Sequence, residues 1–511
     1  MEINIIKTKA NTETKAHMVI KNNILISYEV GDKTEIILPE GITKIGEDVF
    51  RNTHITKIVL PESLHKISDG AFDGCCNLKE VILPKQLEII GSFAFAKCTN
   101  LLQLQLPDSI ISIKDYAFTG SGLTEINLPE SLKVIGDAAF KNTDLRNVTI
   151  PKKTILGKGI FKCCNFLSSL TFKGENVVIP EECCFMDRNL NTVNLDCVTE
   201  IKNDAFRECT SLSFTELPGS VKRVGERVFK GCINIKKLNI KDVSIFIGNS
   251  VFQSTGVESV NISAPKTAEI PNAMFHHCRS LKSLTIKGKI TTIGKNAFSE
   301  TIIDNINIPE SVKEIRSMAF ISCTKLKHIS FDTDPIKLTK IGNEVFSNTG
   351  IEQMIFSDSV KTIGSGCFRN CNNLTYVSLP KDLTIIPESM FTGCALLKKN
   401  CCGKIEIVKD GAFARCTNLT DFDFSNIFYL GCDSFRESGI KELVLDPDSE
   451  KITINPGAFA NTNINEITFT EKCKIVNIAN DAFKYSVVKK ISLPDFVYEL
   501  LDVQAALNRI K

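Results

Sequence analysis

The chain has 511 residues, of which 43% are hydrophobic and 23% charged, with 61 Lys and Arg against 59 Asp and Glu. Such an apolar content is typical of a folded chain and excludes intrinsic disorder. The net charge of +2 supplies no basic field that would hold nucleic acid or an anionic membrane surface, so neither is expected as a partner.

The N-terminal segment, residues 1–33, is expected to end in a capping hairpin. Residues 1–17 contain charged side chains and no apolar run, so no secretory signal peptide is predicted. Residues 18–30 form two short apolar runs separated by Asn22 and Asn23, which predicts a β-hairpin covering the open end of a stacked fold. No stretch of the chain is long and apolar enough to predict a transmembrane helix. These features favour a cytoplasmic location.

One unit recurs twenty times between residues 34 and 494, at intervals of about 23 residues, and each copy is marked by a Phe that follows a small or aliphatic residue. An aliphatic residue precedes this Phe by five positions in every copy but one, where Pro180 stands instead. A unit of this length cannot bury its apolar face alone, so the copies must stack into a mainly β repeat solenoid with the rings in one spine. The repeat Phe are Phe50, Phe72, Phe95, Phe118, Phe140, Phe161, Phe185, Phe206, Phe229, Phe252, Phe275, Phe298, Phe320, Phe346, Phe368, Phe391, Phe413, Phe435, Phe459 and Phe483.

Two extended pieces are predicted in each unit. After the Phe comes the pattern L-x-x-V-x-L-P, as in Leu78, Val81 and Leu83, whose alternation indicates a half-buried strand that Pro ends. The pattern S-L-x-x-I-G follows and indicates a second short strand and a turn. Gly occupies this turn in half of the copies, and other residues there indicate that a positive φ is optional.

The unit I-G-x-x-A-F-x-x-C-x-x-L-x-x-I-x-L-P-x-S-L closely resembles the BspA-like leucine-rich repeat family over some nine tenths of the chain. The resemblance implies a curved leucine-rich-repeat stack with short parallel strands on the concave side and short extended or turn segments on the return side. It also implies a surface protein that binds host or matrix proteins. Since repeat scaffolds carry many unrelated partners, the resemblance specifies the fold more closely than the function.

Ten of the twenty Cys stand three residues after the repeat Phe, where the other copies have Thr, Ser or, once, Arg188. This exchange indicates a small, weakly polar side chain packed in a tight turn, and hence buried free thiols in a reducing compartment. Disulfides between stacked neighbours such as Cys371 and Cys394 are an alternative. A metal site is a third, but no two Cys are three positions apart as zinc-binding motifs require.

Three places and the C-terminus depart from the repeat. Acidic insertions carry Asp332 and Asp334, and then Asp446, Asp448 and Glu450, and they are interpreted as solvated loops or, alternatively, calcium sites. The strand at residues 400–402 lacks the apolar alternation and is predicted to be distorted. Residues 495–511 have apolar side chains at helical spacing and predict an amphipathic capping helix, or a helix that docks a partner.

The residue between the last two apolar positions of the first strand should point away from the core and form one column across the stack. Its central part is almost wholly uncharged and hydrogen-bonding, as expected either of a solvated strand surface or of a protein-binding face. The column begins with the apolar Ile37, Val59 and Ile82, which are expected to lie beneath the N-terminal hairpin or else to form an exposed docking patch. The candidate binding residues are Gln105, Asn127, Thr149, Thr171, Asn194, Asn239, Asn261, Thr285, Asn307 and Ser330.

No catalytic, cofactor or metal motif is found. The six His, among them His276 and His277 in a turn and His328 near the strand face, have no recurring nucleophile beside them. Two functions therefore remain: a non-enzymatic, monomeric scaffold that binds another protein through its concave face, and a surface adhesin of the BspA-like kind. The domains expected are the segment 1–33, a single solenoid over 34–494 and the helix over 495–511.

Overall fold

A computed structural model describes residues 17–331, 337–401, 403–446, 451–473 and 475–492. The chain is a β-solenoid of about twenty coils and divides into two compact units, one formed by Met1–Lys237 and Ile245–Gly256 and the other by Leu238–Ser244 and Val257–Lys511. The described residues contain strands and turns and no helix. The capping helix expected over 495–511, the insertion residues Asp332 and Asp334, and Asp448 and Glu450 lie outside the described residues.

The strands are short because the chain turns sharply after two to five extended residues. As far as residue 247 they are β1 Met18–Lys21, β2 Ile24–Tyr28, β3 Glu35–Ile37, β4 Lys44–Ile45, β5 Lys57–Val59, β6 Lys66–Ile67, β7 Glu80–Ile82, β8 Ile89–Ile90, β9 Ser112–Ile113, β10 Val134–Ile135, β11 Asn147–Ile150, β12 Ile155–Leu156, β13 Ser169–Phe172, β14 Val177–Ile179, β15 Thr192–Val193, β16 Val198–Ile201, β17 Arg223–Val224, β18 Lys237–Ile240 and β19 Phe246–Ile247.

Two longer strands, β20 and β21, interrupt this pattern before the short strands resume. The remaining strands are β20 Ser259–Ile270, β21 Ser283–Ile293, β22 Asn305–Ile308, β23 Glu314–Ile315, β24 His328–Phe331, β25 Lys340–Ile341, β26 Gln353–Ile355, β27 Thr362–Ile363, β28 Tyr376–Ser378, β29 Ile385–Ile386, β30 Lys399–Cys401, β31 Ile407–Val408, β32 Tyr429–Leu430, β33 Glu442–Leu445, β34 Lys451–Ile454, β35 Glu466–Phe469, β36 Ile475–Ile478 and β37 Lys490–Ser492.

The coils are joined by two parallel ladders. The first-strand ladder contains the L-x-x-V-x-L strands and comprises the sheets β3-β5-β7, β11-β13-β15, β22-β24, β26-β28-β30 and β33-β35-β37, together with β18 and the first halves of β20 and β21. In the second-strand ladder, each strand ends at the aliphatic residue five positions before the Phe, and these residues pair between coils, as Ile45 does with Ile67 and Ile67 with Ile90. Each ladder buries alternate side chains, which is the period that a strand imposes.

The N-terminal hairpin belongs to the second-strand ladder. Strands β1 and β2 pair antiparallel around Asn22 and Asn23, which have φ values of 51° and 59°. Strand β2 then pairs in parallel with β4, Leu25 lying opposite Ile45. The hairpin therefore covers the first edge of the second-strand ladder and leaves the edge strand β3 of the first-strand ladder without a neighbour on its N-terminal side among the described residues.

The repeat rings form the predicted spine in each unit. In the first unit, Phe50 and Phe72 have centroids 5.2 Å apart and planes within 1° of parallel, and the stack continues to Phe161. In the second unit, an unbroken stack runs from Phe275 to Phe483. Nineteen of the twenty rings are buried, and burial of each contributes about 1.5–3 kcal/mol.

Phe185 is the ring that does not enter the spine, and its placement there by the sequence pattern is wrong. The backbone N–H of Phe161 donates to the carbonyl of Cys183, and that of Cys184 donates to Ala205, so Cys184 occupies the place of the Phe. The aliphatic residue five positions earlier is then Ile179, which is buried, and Pro180 is no longer an exception. The ring of Phe185 instead lies on the surface beneath the ammonium of Lys162, 4.7 Å from its centroid.

Side chains of the Cys and Thr column donate hydrogen bonds to the backbone carbonyl group of the repeat Phe. Thr53 Oγ1 donates to the Phe50 carbonyl of its own coil at 2.8 Å, whereas Cys75 Sγ donates to that same carbonyl from the following coil at 2.9 Å. Both residue types thus satisfy a polar group that the turn would otherwise leave buried without a partner. The ten column cysteines are all buried and outside any disulfide, as predicted: Cys75, Cys98, Cys164, Cys209, Cys232, Cys278, Cys323, Cys371, Cys394 and Cys416.

Two further expectations need correction. Where Gly stands in the turn after the second strand, close packing rather than a positive φ accounts for it, since a Cβ on Gly364 would lie 2.4 Å from the backbone nitrogen of Asn343 in the preceding coil. The positive φ values occur two residues before and two residues after the repeat Phe, as at Asp48 and Asn52. The strand predicted to be distorted, β30, pairs with β28 in regular parallel register.

Candidate protein-binding face

The outward side of the first-strand ladder, called here the first-strand face, is formed by the middle side chain of each strand. In β11, Val148 and Ile150 are buried while Asn147 and Thr149 are exposed. Parallel pairing places equivalent residues of neighbouring coils side by side, as in Thr149 opposite Thr171 and Asn261 opposite Thr285. The face is therefore a regular column whose spacing is set by the ladder, about 4.8 Å per coil.

All ten candidate binding residues lie on this face. Gln105, Asn127, Thr149 and Thr171 of the first unit are exposed, as are Asn261, Asn307 and Ser330 of the second. Asn194, Asn239 and Thr285 are half-buried. His328 is also exposed, two residues before Ser330 on β24, so its side chain points to the same side.

Some polar groups of the face already have partners within the fold. Ser330 Oγ donates to Asn307 Oδ1 at 2.9 Å, which is a hydrogen bond between neighbouring strands. The Asn194 side chain accepts from the Phe172 backbone N–H at 2.7 Å and donates to the Phe172 carbonyl at 3.1 Å. These contacts fix the orientation of the Asn307 and Asn194 side-chain amides, and both residues keep their places in the column.

The apolar start of the column does not lie beneath the hairpin, so that preferred interpretation is wrong. Ile37 is 79% exposed and Ile82 is 44% exposed, whereas Ile36, the neighbour of Ile37 in β3, is 2% exposed. The physical reason is the pairing of β2 with β4 in the other ladder, which places the hairpin away from β3. The alternative, an exposed apolar patch at the edge of the first-strand face, describes the structure.

Two grooves in the first unit open on the face. One, of 590 Å³, is lined by residues of β7 and the following coil, among them Ile82, Gln105 and Pro107. The other, of 420 Å³, includes Asn127 and Thr149. Concave sites of this size accommodate side chains of a bound ligand or protein.

Charged side chains on the flanks of the face are paired between coils. The Lys57 ammonium lies 2.9 Å from the Glu80 carboxylate, and this hydrogen bond raises the pKa of Lys57. Lys173 lies 2.6 Å from Glu130, and its hydrogen bond lowers the pKa of that carboxyl group. Pairing of opposite charges keeps the surroundings of these two positions close to neutral.

The cysteines do not form a metal centre in the described part of the chain. No Cys there belongs to a group of three or more side chains whose ligand atoms come close enough to share one ion. Burial raises the pKa of the Cys323 and Cys371 thiols to about 11, so they stay protonated near neutral pH. Within the same described ranges we find no helix with the length and apolar character needed to cross a bilayer.

Two bacterial leucine-rich repeat proteins are among the similar solved structures. A leucine-rich repeat protein from Bacteroides ovatus is 24% identical, with a TM-score of 0.60, and the match covers 79% of this chain and 98% of that one. A leucine rich cell surface protein from Faecalibacterium prausnitzii is 23% identical, with a TM-score of 0.36, over 65% of this chain and 97% of that one. No curated protein matches the sequence.

The family model described as "BspA type Leucine rich repeat region (6 copies)" matches residues 27–143, 88–213, 199–327, 339–455 and 433–502. These matches span most of the chain and coincide with the coils that carry the ring spine and the two ladders. The chain belongs to the BspA-type leucine-rich repeat family.

Proposed function

We propose that the protein is a non-enzymatic scaffold that binds another protein through the first-strand face. The observation that carries this proposal is the column itself: uncharged polar side chains held in register outside the core, next to an exposed apolar patch at Ile37 and Ile82. Interfaces combine apolar anchors with a polar surround in this way. In the first unit the column continues past both grooves, from Gln105 to Thr171.

The area available is sufficient for a specific complex. A standard interface buries about 800 Å² per partner, and about ten strands at a spacing of 4.8 Å already extend over roughly 50 Å of ladder. Strand pairing also holds the backbone of the face in place before binding, which favours affinity because less conformational entropy is lost. The partner should present its own hydrogen-bonding groups and at least one apolar side chain for the patch.

The proposal is tested by adding charge to the face. The double substitution Asn239→Lys and Asn261→Lys places two ammonium groups in the column of the second unit, where a bound partner would have to desolvate them. We expect partner capture from the native cell lysate, followed by mass spectrometry, to lose the proteins that the native chain retains.

A matched control separates the face from the charge change. Asn373 and Asn418 are exposed in turns of the second unit, and their joint substitution by Lys adds the same charge outside the column. The control should retain the partner. Retention by the Asn239 and Asn261 variant as well would exclude this part of the face.

The place of binding remains part of the proposal, with the cytoplasm as the first choice and the cell surface, as for an adhesin, as the alternative. Free thiols discriminate less than expected between these compartments, because the ten column thiols are buried and would survive an oxidising environment. Cys76 is exposed and offers a direct test. A membrane-impermeant maleimide should label it only after cell lysis if the protein is cytoplasmic, and on intact cells if it is a surface adhesin.

A further inference from the structure

A half-buried group of two imidazoles and one carboxylate lies in the second unit, away from the first-strand face. His276, His277 and Glu300 each offer one ligand atom, and these three atoms all lie within 4.8 Å of one another. No other group of three such side chains meets this condition in the described ranges. Nothing in the repeat pattern requires His at these positions, since the residues equivalent to His276 in other coils are mostly Lys, Arg or Ala and those equivalent to His277 are mostly Asn, Gly or Ser.

Stacking of the coils brings these residues together. His277 and Glu300 both stand two residues after a repeat Phe, in consecutive coils, and both have the positive φ of that turn position, 59° and 58°. The backbone N–H of His277 donates to the carbonyl of Ser299, which fixes the two turns against each other at 3.0 Å. His276 precedes His277 directly, and their rings meet edge to face with centroids 3.8 Å apart.

A hydrogen bond to Ser299 orients the imidazole of His276. Ser299 Oγ donates to the Asn296 carbonyl at 3.0 Å, so its 2.5 Å contact with His276 Nδ1 requires that nitrogen to carry the proton. The basic lone pair of His276 is then on Nε2. A hydrogen bond from one ring nitrogen that leaves the other nitrogen basic is the usual arrangement of a metal-binding histidine.

His277 and Glu300 have a separation suited to sharing one ion. His277 Nε2 lies 3.1 Å from Glu300 Oε1. In tetrahedral coordination by bonds of about 2.1 Å, ligand atoms are roughly 3.4 Å apart, so an ion can replace the proton between these two atoms with little movement. Arg279 Nη2 holds the other carboxylate oxygen, Oε2, at 2.8 Å and thereby aims Oε1 at the imidazole.

We propose that His276, His277 and Glu300 bind one divalent transition-metal ion of the zinc type. Two imidazoles and a carboxylate are ligands that Zn²⁺ prefers, and three protein ligands leave one coordination position for water or for a group of another molecule. The guanidinium of Arg279 beside the carboxylate reduces the negative charge of the site and should limit its affinity. The site is independent of the proposed binding face.

The probe is zinc itself, measured by equilibrium dialysis on the full chain, and we expect one ion per chain at this site. Either His277→Asn or Glu300→Gln removes a ligand and should weaken binding by more than the 10–100-fold or so that loss of an outer-shell partner costs. Asn suits the first substitution because Asn52 and Asn142 occupy the same turn position with positive φ. His54→Asn, at an exposed turn histidine outside the cluster, is the control and should bind as the native chain does.

Cobalt substitution distinguishes this site from adventitious binding to thiols. The Co²⁺ complex of the native chain should lack sulfur-to-metal charge-transfer absorption and should lose its visible bands in the His277→Asn variant, while circular dichroism shows that the variant is folded. Sulfur ligation, unchanged binding by both variants, or no binding at all would each overturn the proposal. Partner capture is repeated in the presence of a metal chelator. Because the site is independent of the proposed binding face, capture should be unchanged, so failure of the metal proposal can be told from failure of the proposed function.

Discussion

Asp187 shows how a single residue can disturb a repeat that is otherwise regular. Because Cys184 takes the place of the Phe, Asp187 stands three residues later in the Cys column, and its side chain is buried. Its Oδ1 accepts the Cys164 backbone N–H at 2.6 Å, while its Oδ2 has no hydrogen-bond partner. Burial raises the pKa of the Asp187 carboxyl group well above its ordinary value, so the fold favours the protonated form.

The first prediction concerns this carboxyl group. A raised pKa in the folded state means that its contribution to stability is present below the unfolded pKa of about 3.9 and is lost as pH rises through the folded value. Asp187→Cys restores the residue type of the column and should increase the free energy of unfolding at pH 7 by about 1–3 kcal/mol. Denaturation midpoints measured from pH 4 to pH 8 should also fall less steeply in the variant.

The exposed Asp144 supplies the control, since Asp144→Asn removes a carboxylate without touching the column. That variant should follow the native pH profile. A profile of the Asp187→Cys chain that coincides with that of the native chain would show that Asp187 is not the group responsible.

The second prediction compares two Phe residues that the sequence pattern treats alike. Phe252 stacks on Phe229 with centroids 5.5 Å apart and is completely buried, so Phe252→Ala should cost about 3–5 kcal/mol. Phe185 is only partly buried and lies beneath the cationic groups of Lys162 and Arg207, so Phe185→Ala should cost only about 1 kcal/mol. Chemical denaturation of both variants checks this, and equal losses would contradict the shifted register at Cys184.

At the scale of elements, strand β3 buries one of its side chains and exposes the next. Ile36 packs in the core and Ile37 points outward, so Ile36→Ala should cost about 2–5 kcal/mol, while Ile37→Ala should change stability by less than about 0.5 kcal/mol. Thermal unfolding of the two variants measures the difference. If Ile37→Ala were the more destabilising change, the exposed patch would not exist as described.

The turns after the Phe predict the reactivity of the thiols. Column thiols are buried and protonated, and the carbonyl of a repeat Phe accepts a hydrogen bond from most of them, as from Cys371 to Phe346 at 3.0 Å. Cys76 is exposed. We expect alkylation of the native chain, followed by peptide mass spectrometry, to modify Cys76 rapidly and Cys371 only after denaturation. Rapid modification of Cys371 in the folded chain would be inconsistent with its packing.

Much of this element-level structure is predictable from the sequence. The Phe, the aliphatic residue before it and the L-x-x-V-x-L pattern repeat often enough to specify coil, strand and column, because each has the same packing role in every copy. The register at Cys184 could not be predicted in this way. Phe185 matches the sequence motif, but it stands one position after the residue that takes the place of the Phe in the structure. One signal was present: Pro180 interrupts the aliphatic column, and Ile179 restores it if the copy is shifted by one residue.

The candidate face was predictable in direction but not in its surroundings. Alternation within each strand places Thr149 and Asn261 outside the core, as the structure has them. Which ladder the hairpin joins depends on pairing between distant residues, β2 with β4, and local patterns contain no information on that choice. The cluster of His276, His277 and Glu300 was not predicted for the same reason, because its members come from two coils and only the stacking of those coils brings them together.

For the molecule as a whole, stability comes from contacts between neighbouring coils. Side-chain hydrogen bonds such as Thr143 to Cys164, 3.3 Å long, join residues one coil apart, and the ladders and ring stacks do the same. Such a chain behaves as a sum of coils and interfaces. Within each unit, this repetition displays equivalent side chains in a regular column, as at Thr149 and Thr171.

The most direct test of the binding face is site-specific photocrosslinking in living cells. A benzophenone side chain is placed at Thr149, Thr171 or Asn261 on the first-strand face, and in matched chains at Ile155 or Ile475, which are 68% and 49% exposed on the second-strand ladder. We predict that, within each unit, a partner protein is crosslinked from the first-strand positions and not from the second-strand position. Crosslinks to that partner only from Ile155 and Ile475 would contradict the account.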